Sequence, residues 1–301
     1  MEYFTFSGYE GKTLPAVLWR PEGAVKAVLQ VTHGMTEHMG RYEALADHLA
    51  PMGIAVAGFD LRGHGKNEGD PNVAAMGEGG WEASLEDMRL FFLELERLLP
   101  GVPHYMLGFS LGSFLLREYL GKYPQNIAGA VIMGTGHQPG WLLSVMTAIV
   151  KGEVKKAGVD AATDLVRQLS FGTYNAKFKP NRTSADWLCA NDEALDRYLA
   201  DPLVRRDISA GLFRDLLCSM KRTGASCGSW KKDTPILLLA GQEDPVGDQG
   251  RGVQRFYDGM RKAGLQAVTF QFFPEARHDL LHEACAEQVC HCIADWLEGK
   301  H

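Results

Sequence analysis

His104-Tyr105-Met106-Leu107-Gly108-Phe109-Ser110-Leu111-Gly112-Ser113-Phe114-Leu115-Leu116 is the stretch on which the reading of this chain turns. The run His104–Phe109 predicts a buried strand, and the spacing of Leu111–Tyr123 predicts a helix that stops before Pro124. Ser110 then sits at a sharp strand-to-helix turn, within the pattern G-x-S-x-G. A serine hydroxyl is a poor nucleophile unless it is exposed, held and given a base. The two glycines make room for the turn, and the helix N-terminus offers backbone N–H groups to a developing anion. The pattern alone is weak in a chain with 34 glycines, and Gly224-Ala225-Ser226-Cys227-Gly228 fits it too. Context separates them. Ser226 follows Lys221-Arg222-Thr223 and precedes Ser229, Trp230 and two lysines, so it reads as a loop serine without a chemical role.

Outward from Ser110 the chain alternates strands and helices. Tyr3–Ser7 and Leu14–Arg20 predict a hairpin around Gly8–Lys12, and Ala27–Val31, Ile54–Asp60 and Ile127–Gly134 predict strands. Arg41–Leu49 and Trp81–Leu99 predict helices. From His137 to Trp230 the spacing predicts helices only, over Trp141–Val150, Ala161–Leu169, Asp192–Leu199 and Gly211–Met220. Alternation resumes with Ile236–Ala240, Gln249–Ala263, Ala267–Phe273 and a last helix over Leu280–Leu297. The expectation is an α/β fold, a mostly parallel twisted sheet with helices on both faces. Residues 1–136 and 231–301 would form its core, and 137–230 a helical cap.

A serine nucleophile needs a base and an acid that orients it. Asp244 lies in Gly241-Gln242-Glu243-Asp244-Pro245, just past the strand Ile236–Ala240, with Glu243 and Asp248 as rivals. Pro245 favours a rigid turn that fixes the Asp244 side chain. His278 follows the strand ending at Phe273 and is expected to open the last helix, with His282 one turn on and facing packing or solvent. Val31-Thr32-His33-Gly34-Met35-Thr36-Glu37-His38 follows an early strand, so Met35 N–H and Leu111 N–H are the candidate oxyanion donors.

Taken together, His33-Gly34-Met35-Thr36-Glu37-His38 with Arg41-Tyr42, Asp60-Leu61-Arg62-Gly63-His64-Gly65, the elbow at Ser110 and Gly241-Gln242-Glu243-Asp244-Pro245-Val246 resemble the monoacylglycerol lipase and lysophospholipase group of α/β-hydrolases. The resemblance runs over nearly the whole chain. It implies the α/β-hydrolase fold, a helical cap over an acyl pocket, no cofactor, and hydrolysis of carboxylic esters with an apolar acyl group. It also implies Ser110, Asp244 and His278 as the triad, and Met35 and Leu111 as oxyanion donors. Phe109 stands where the family commonly has His, and Ser113 where it has a second Gly, departures that bear on the pocket wall and helix–strand packing. Glu37, Arg62 and His64 read as loop braces, since the Asp60–Gly65 turn needs internal hydrogen bonds.

Phe109, Trp141 and Met146 are the candidate pocket residues. The stretch Trp141–Val150 is apolar on almost every side, which suits an acyl tunnel or a face making transient contact with micelles or membranes. An amidase of aminopeptidase type would instead need acidic groups by the pocket, for which Glu37, Glu193 and Asp196 are candidates. The net charge of −6 and the scattered basic residues leave no footprint for nucleic acid. No segment reads as a signal peptide or a membrane span, so a cytoplasmic location is the expectation. The six cysteines are expected to be reduced. Cys285, Cys290 and Cys292 lie near His278, His282 and His291, but their spacing fits no zinc pattern.

Overall fold

The computed structural model describes residues 1–123, 127–224 and 227–300; Ser226 lies outside them. The chain opens with a hairpin of β1 (Glu2–Ser7) and β2 (Thr13–Trp19), followed by β3 (Ala27–Thr32), α1 (Glu43–Leu49), β4 (Ile54–Phe59) and the two-residue β5 (Val73–Ala74). Next come α2 (Gly80–Leu98), β6 (His104–Phe109), α3 (Leu111–Lys122) and β7 (Gly129–Met133). The long segment that follows holds α4 (Gly140–Ala157), α5 (Asp164–Arg167), the single turn α6 (Thr173–Asn175), α7 (Asp192–Ala200), the two-residue β8 (Asp207–Ile208) and α8 (Ala210–Thr223). The chain closes with β9 (Ile236–Gly241), α9 (Arg251–Lys262), β10 (Val268–Phe273) and α10 (Ala286–Leu297).

Eight strands form one sheet in the order β1-β2-β4-β3-β6-β7-β9-β10. Only the β1–β2 and β2–β4 pairings are antiparallel. The central strands β3, β4, β7 and β9 are buried along their whole length, and β6 everywhere but at Tyr105, as apolar runs covered on both faces must be. Successive side chains alternate between two cores. In β3, Val28 joins the core under α2, α3, α8 and α9, while Leu29 and Val31 join the one under α1 and α10. Gln30 is buried on the first face, where its amide donates to the Met88 carbonyl at 3.1 Å.

Register sets the site. Thr32 pairs with Gly108, Phe109 with Met133, Met133 with Leu239, and Phe273 with Gly241. The carboxyl ends of β3, β6, β9 and β10 therefore finish level, and the loops carrying Met35, Ser110, Asp244 and His278 leave from one edge. That edge is where open α/β sheets bind ligands.

Four details depart from the sequence reading. The segment expected to be purely helical contains β8, which pairs in parallel with β5. Two residues are too few for a periodic signal. α5 starts at Asp164 because the Thr163 hydroxyl accepts from Val166 N, and it ends in a π-helical turn over Gln168–Gly172. α9 starts at Arg251, since Asp248 and Gln249 have left-handed φ of 54° and 51°. His278 does not open the last helix. A 3-10 turn over Leu280–His282 intervenes, and the Glu283 carboxylate accepts from Arg277 N at 2.8 Å and Ala190 N at 3.0 Å, pulling the chain out of helical path.

Candidate active site

Ser110 has φ 50° and ψ −115°, a strained conformation for a residue with a side chain, and it links β6 directly to α3. The surroundings hold it there. Its amide donates to the Met133 carbonyl at 3.0 Å, and the Ser113 hydroxyl donates to the Ser110 carbonyl at 2.6 Å. The residue that departs from the family's second glycine thus braces the elbow. The two motif glycines are required by contact: a Cβ on Gly112 would lie 2.0 Å from the Thr32 carbonyl oxygen, and one on Gly108 2.4 Å from that of Gly112. Both obstacles are backbone and cannot swing aside. Gly112→Ala is expected to destabilise the fold by about 3 kcal/mol or more, read as a lowered urea midpoint with unchanged slope.

The Ser110 hydroxyl lies 2.8 Å from Nε2 of His278, whose Nδ1 lies 2.9 Å from Oδ2 of Asp244. The other carboxylate oxygen of Asp244 accepts from Val246 N at 2.8 Å. With a carboxylate acceptor at Nδ1, the neutral ring carries its proton there and presents a bare Nε2 to the hydroxyl. All three side chains are buried. The rivals lie elsewhere: Glu243 is exposed, and Asp248 binds Arg251 and Arg255.

The His278 ring contacts two aromatic rings, Phe109 at 5.0 Å and Trp187 at 5.1 Å. Phe109 reaches the site from the elbow, and Trp187 from the long segment between β7 and β9. Sequence reasoning missed Trp187. Its one signal was an isolated aromatic in a segment without strong periodicity. Trp187→Ala is expected to lower kcat by roughly 10- to 10²-fold by freeing the imidazole, with unfolding free energy as the control measurement.

The loop after β3 is braced from several sides. Glu37 accepts from Gly34 N at 2.6 Å, the Tyr42 hydroxyl at 2.7 Å and Arg41 Nε at 2.9 Å. Arg41 also binds Asp279, next to His278, so one guanidinium ties the Met35 loop to the histidine loop. Burial disfavours the Arg41 charge, but Asp279 and Glu37 outweigh it and raise its pKa. His282 joins this cluster through Asp279 at 2.8 Å. Arg62 pairs with Asp87, and His64 donates through Nδ1 to the Arg62 carbonyl, so Glu37, Arg62 and His64 all sit in loop bracing. Met35 N and Leu111 N have no protein acceptor among the described residues.

His33 accepts from Leu61 N at Nε2 and faces the Gly34 carbonyl with Nδ1, so its neutral tautomer is defined on both sides. Burial drives its pKa down, against the pull of Asp60 and Glu37. Burial likewise pushes His64 down to about 3, with His33 adding to the effect, and His104 down to about 3. Rings kept neutral in the fold take up protons on unfolding below the ordinary value of 6.5. The contribution of His64 and His104 is complete above that value and is lost as pH falls toward 3. Each histidine should add about 1.4 kcal/mol per pH unit to the loss of stability in that window. Urea unfolding from neutral pH down to about pH 5 measures it, and a flat free energy would contradict it.

Above Ser110 lies a narrow cavity of about 50 Å³. Its walls are mostly apolar, with Phe171, Tyr174, Trp187, Phe213 and Leu216 supplied by the segment between β7 and β9 and Phe109 by the elbow. Two expected lining residues are not there. α4 buries Leu143, Thr147 and Val150, the face that packs on α8. Trp141 lies on the opposite face, 71% exposed, in a stripe with Val145 and Ile149. Met146 is half-buried against the core and does not reach the cavity. All six cysteines are free. Among the described residues no three His, Cys, Asp or Glu side chains converge as metal ligands, and no helix is long and apolar enough to cross a membrane.

Residues 23–284 match the family described as serine aminopeptidase, S33. The chain is 27% identical over 295 residues to human monoglyceride lipase, covering 97% of this chain and 88% of that one. It is 27% identical over 299 residues to an uncharacterized abhydrolase domain-containing protein of Dictyostelium discoideum, covering 96% of this chain but only 28% of that longer protein. A carboxyl esterase from Bacillus coagulans, solved with glycerol, shares the fold with a TM-score of 0.88 at 21% identity, covering 99% of this chain and 98% of that one. With a match spanning residues 23–284 on a sheet of this order, the chain belongs to the serine aminopeptidase S33 family of α/β-hydrolases.

Proposed function

We propose that the protein is a serine hydrolase of carboxylic esters with an apolar acyl group, of the monoacylglycerol or lysophospholipid kind, with Ser110, His278 and Asp244 as its triad. The observation that carries this reading is the unbroken relay of 2.8 and 2.9 Å from hydroxyl to imidazole to carboxylate, beneath a mostly apolar cavity. His278 takes the Ser110 proton as the oxygen attacks the ester carbonyl. Asp244 holds the tautomer and stabilises the imidazolium. The alcohol leaves with that proton, and water, activated by the same ring, releases the acid from the acyl-enzyme. The free amides of Met35 and Leu111 serve as the oxyanion hole, each contributing about 2.7–4 kcal/mol to transition-state stabilisation.

Residues 137–230 act as a cap in this reading, because they supply most of the aromatic wall. At about 50 Å³ the cavity is smaller than the ~150 Å³ that accepts a benzene. An acyl chain therefore enters by displacing wall side chains. The exposed stripe of Trp141, Val145 and Ile149 suits transient contact with micelles or membranes, although a net charge of −6 disfavours strongly anionic surfaces.

The aminopeptidase alternative needs a carboxylate free to hold a substrate ammonium. Glu37 and Asp279 line the cavity, but Arg41 binds both. Glu193 and Asp196 lie exposed on α7 beside Arg197 and Arg182. An ester with an apolar acyl chain fits this site better than a peptide amine. p-Nitrophenyl esters of increasing chain length test the reading. Turnover is expected to rise from acetate to octanoate, and a preference for acetate would count against a lipid substrate.

A further inference from the structure

Two neighbouring residues of α3, Arg117 and Glu118, tie down one end of α8, a helix that walls the cavity above Ser110. Arg117 is buried and has no carboxylate partner among the described residues. Its guanidinium donates to the Thr135 hydroxyl at 3.0 Å, to the Gly136 carbonyl at 2.8 Å and to the Gly224 carbonyl. The Phe256 ring lies 3.9 Å from its central carbon and the Phe114 ring 5.1 Å. Taking a cation out of water without a counter-ion is costly, and burial pushes the Arg117 pKa down to about 10. The group stays charged at neutral pH and joins two segments far apart in the chain. Thr135 and Gly136 are where the chain leaves β7 for the cap, and Gly224 lies just past α8.

Glu118 makes a second tie one residue on. Its carboxylate accepts from the Ser219 hydroxyl at 2.7 Å, from Arg222 Nε at 2.9 Å and Nη2 at 3.0 Å, and from Trp81 Nε1 of α2 at 2.9 Å. The last turn of α8 is thereby bonded to the helix that begins next to Ser110. α8 faces the cavity with Phe213, Leu216 and Met220, spaced three and four apart along one side. Met220 lies within the tied turn, and Phe213 lies near the other end of the helix. Phe114, opposite on α3, has the Arg117 guanidinium against its ring. Phe171 and Tyr174 reach the same cavity from a π-helical turn and a single helical turn.

We propose that Arg117 and Glu118 are positioning residues that set the upper limit of acyl-chain length. The proposal rests on the ester-hydrolase reading above, in which a cavity of about 50 Å³ admits a chain only where its wall yields. Phe171 and Phe213 sit away from both ties and can give way. Met220 and Phe114 cannot do so without breaking the bonds of Arg117 and Glu118. The stretch of α8 from Phe213 to Met220 spans about 10 Å, close to the length of an extended octanoyl chain. Longer chains must push against the tied end, so the limit falls between octanoate and dodecanoate.

The test is kcat/KM for p-nitrophenyl acetate, octanoate and dodecanoate, each below its micellar concentration. It compares the parent with Arg117→Met and with the double variant Ser219→Ala/Arg222→Ala. The parent is expected to favour octanoate over dodecanoate. In each variant the ratio of dodecanoate to octanoate should rise by about 10-fold, the scale on which a hydrophobic pocket discriminates chain length. A variant that merely loses folded enzyme loses activity on all three esters alike and leaves that ratio unchanged. The double variant removes three of the four bonds to Glu118 and keeps Arg117, so it carries the test should Arg117→Met fail to fold. An unchanged ratio in either folded variant overturns the proposal, as does a parent that takes dodecanoate as readily as octanoate. Turnover of none of the three esters would instead sink the ester-hydrolase reading.

Discussion

Ser110→Ala is expected to lower kcat for a p-nitrophenyl ester by about 10⁶-fold, the scale on which removal of a triad serine is felt. The same variant should no longer react with a fluorophosphonate probe that labels the parent. The size of the effect follows from geometry. The hydroxyl lies 2.8 Å from Nε2 of His278, and the elbow holds it at φ 50° against the preference of any L-residue. Alanine at 110 keeps the Cβ, the amide bond to the Met133 carbonyl and the brace from Ser113, since these involve backbone atoms of residue 110. The fold should therefore survive with its cavity intact, and unfolding of the variant checks this. What remains is catalysis by the free amides and by binding, roughly 10³–10⁴ over water in other triad enzymes. Labelling that persists in the variant would refute the assignment, with Ser226 in the second G-x-S-x-G match as the next residue to test.

The elbow and the sheet were legible because each rests on a local rule that tertiary contacts did not override. Apolar runs ending in Gly108-Phe109-Ser110 and Gly241-Gln242-Glu243-Asp244 mark strands and the turns that leave them. The parallel register brings those turns to one edge without further information. The wall of the cavity above Ser110 was not legible in the same way. Trp141 stood out because its helix is apolar on nearly every side, yet the face that packs on α8 is Leu143, Thr147 and Val150, and Trp141 points away. Composition of a helix states how much apolar surface it has, whereas the partner helix decides which part is covered. Trp187, Phe171 and Tyr174 sit in short turns held by single side-chain bonds, such as the Asn175 side chain accepting from Trp187 N at 3.1 Å. No period announces them. The break before α10 was hidden for a related reason, since Glu283 accepts from Arg277 N and, across the fold, from Ala190 N, 93 residues earlier in the chain.

Asp244→Asn is expected to lower kcat by about 10⁴-fold while leaving the fold nearly unchanged. The argument is one of proton inventory. Asp244 accepts twice, from Val246 N at 2.8 Å through Oδ1 and from His278 Nδ1 at 2.9 Å through Oδ2. An asparagine has one accepting oxygen and one donating nitrogen. The Val246 amide can only donate, so it selects the asparagine oxygen and turns the NH₂ toward His278. The ring must then accept at Nδ1 and carry its proton on Nε2, pointed at Ser110. In that tautomer it cannot take the serine proton, although every heavy atom is where it was. Flipping the amide rescues the tautomer only by setting two N–H donors against each other in a fully buried site. Fluorophosphonate labelling should slow along with ester turnover, because both need the same proton removed from Ser110. Glu243→Gln and Asp248→Asn should retain parental turnover, since Glu243 is exposed and Asp248 is bound to Arg251 and Arg255 at 2.9 and 3.1 Å. Retention of parental turnover by Asp244→Asn, or its loss in either neighbour instead, would mean that another carboxylate orients the base.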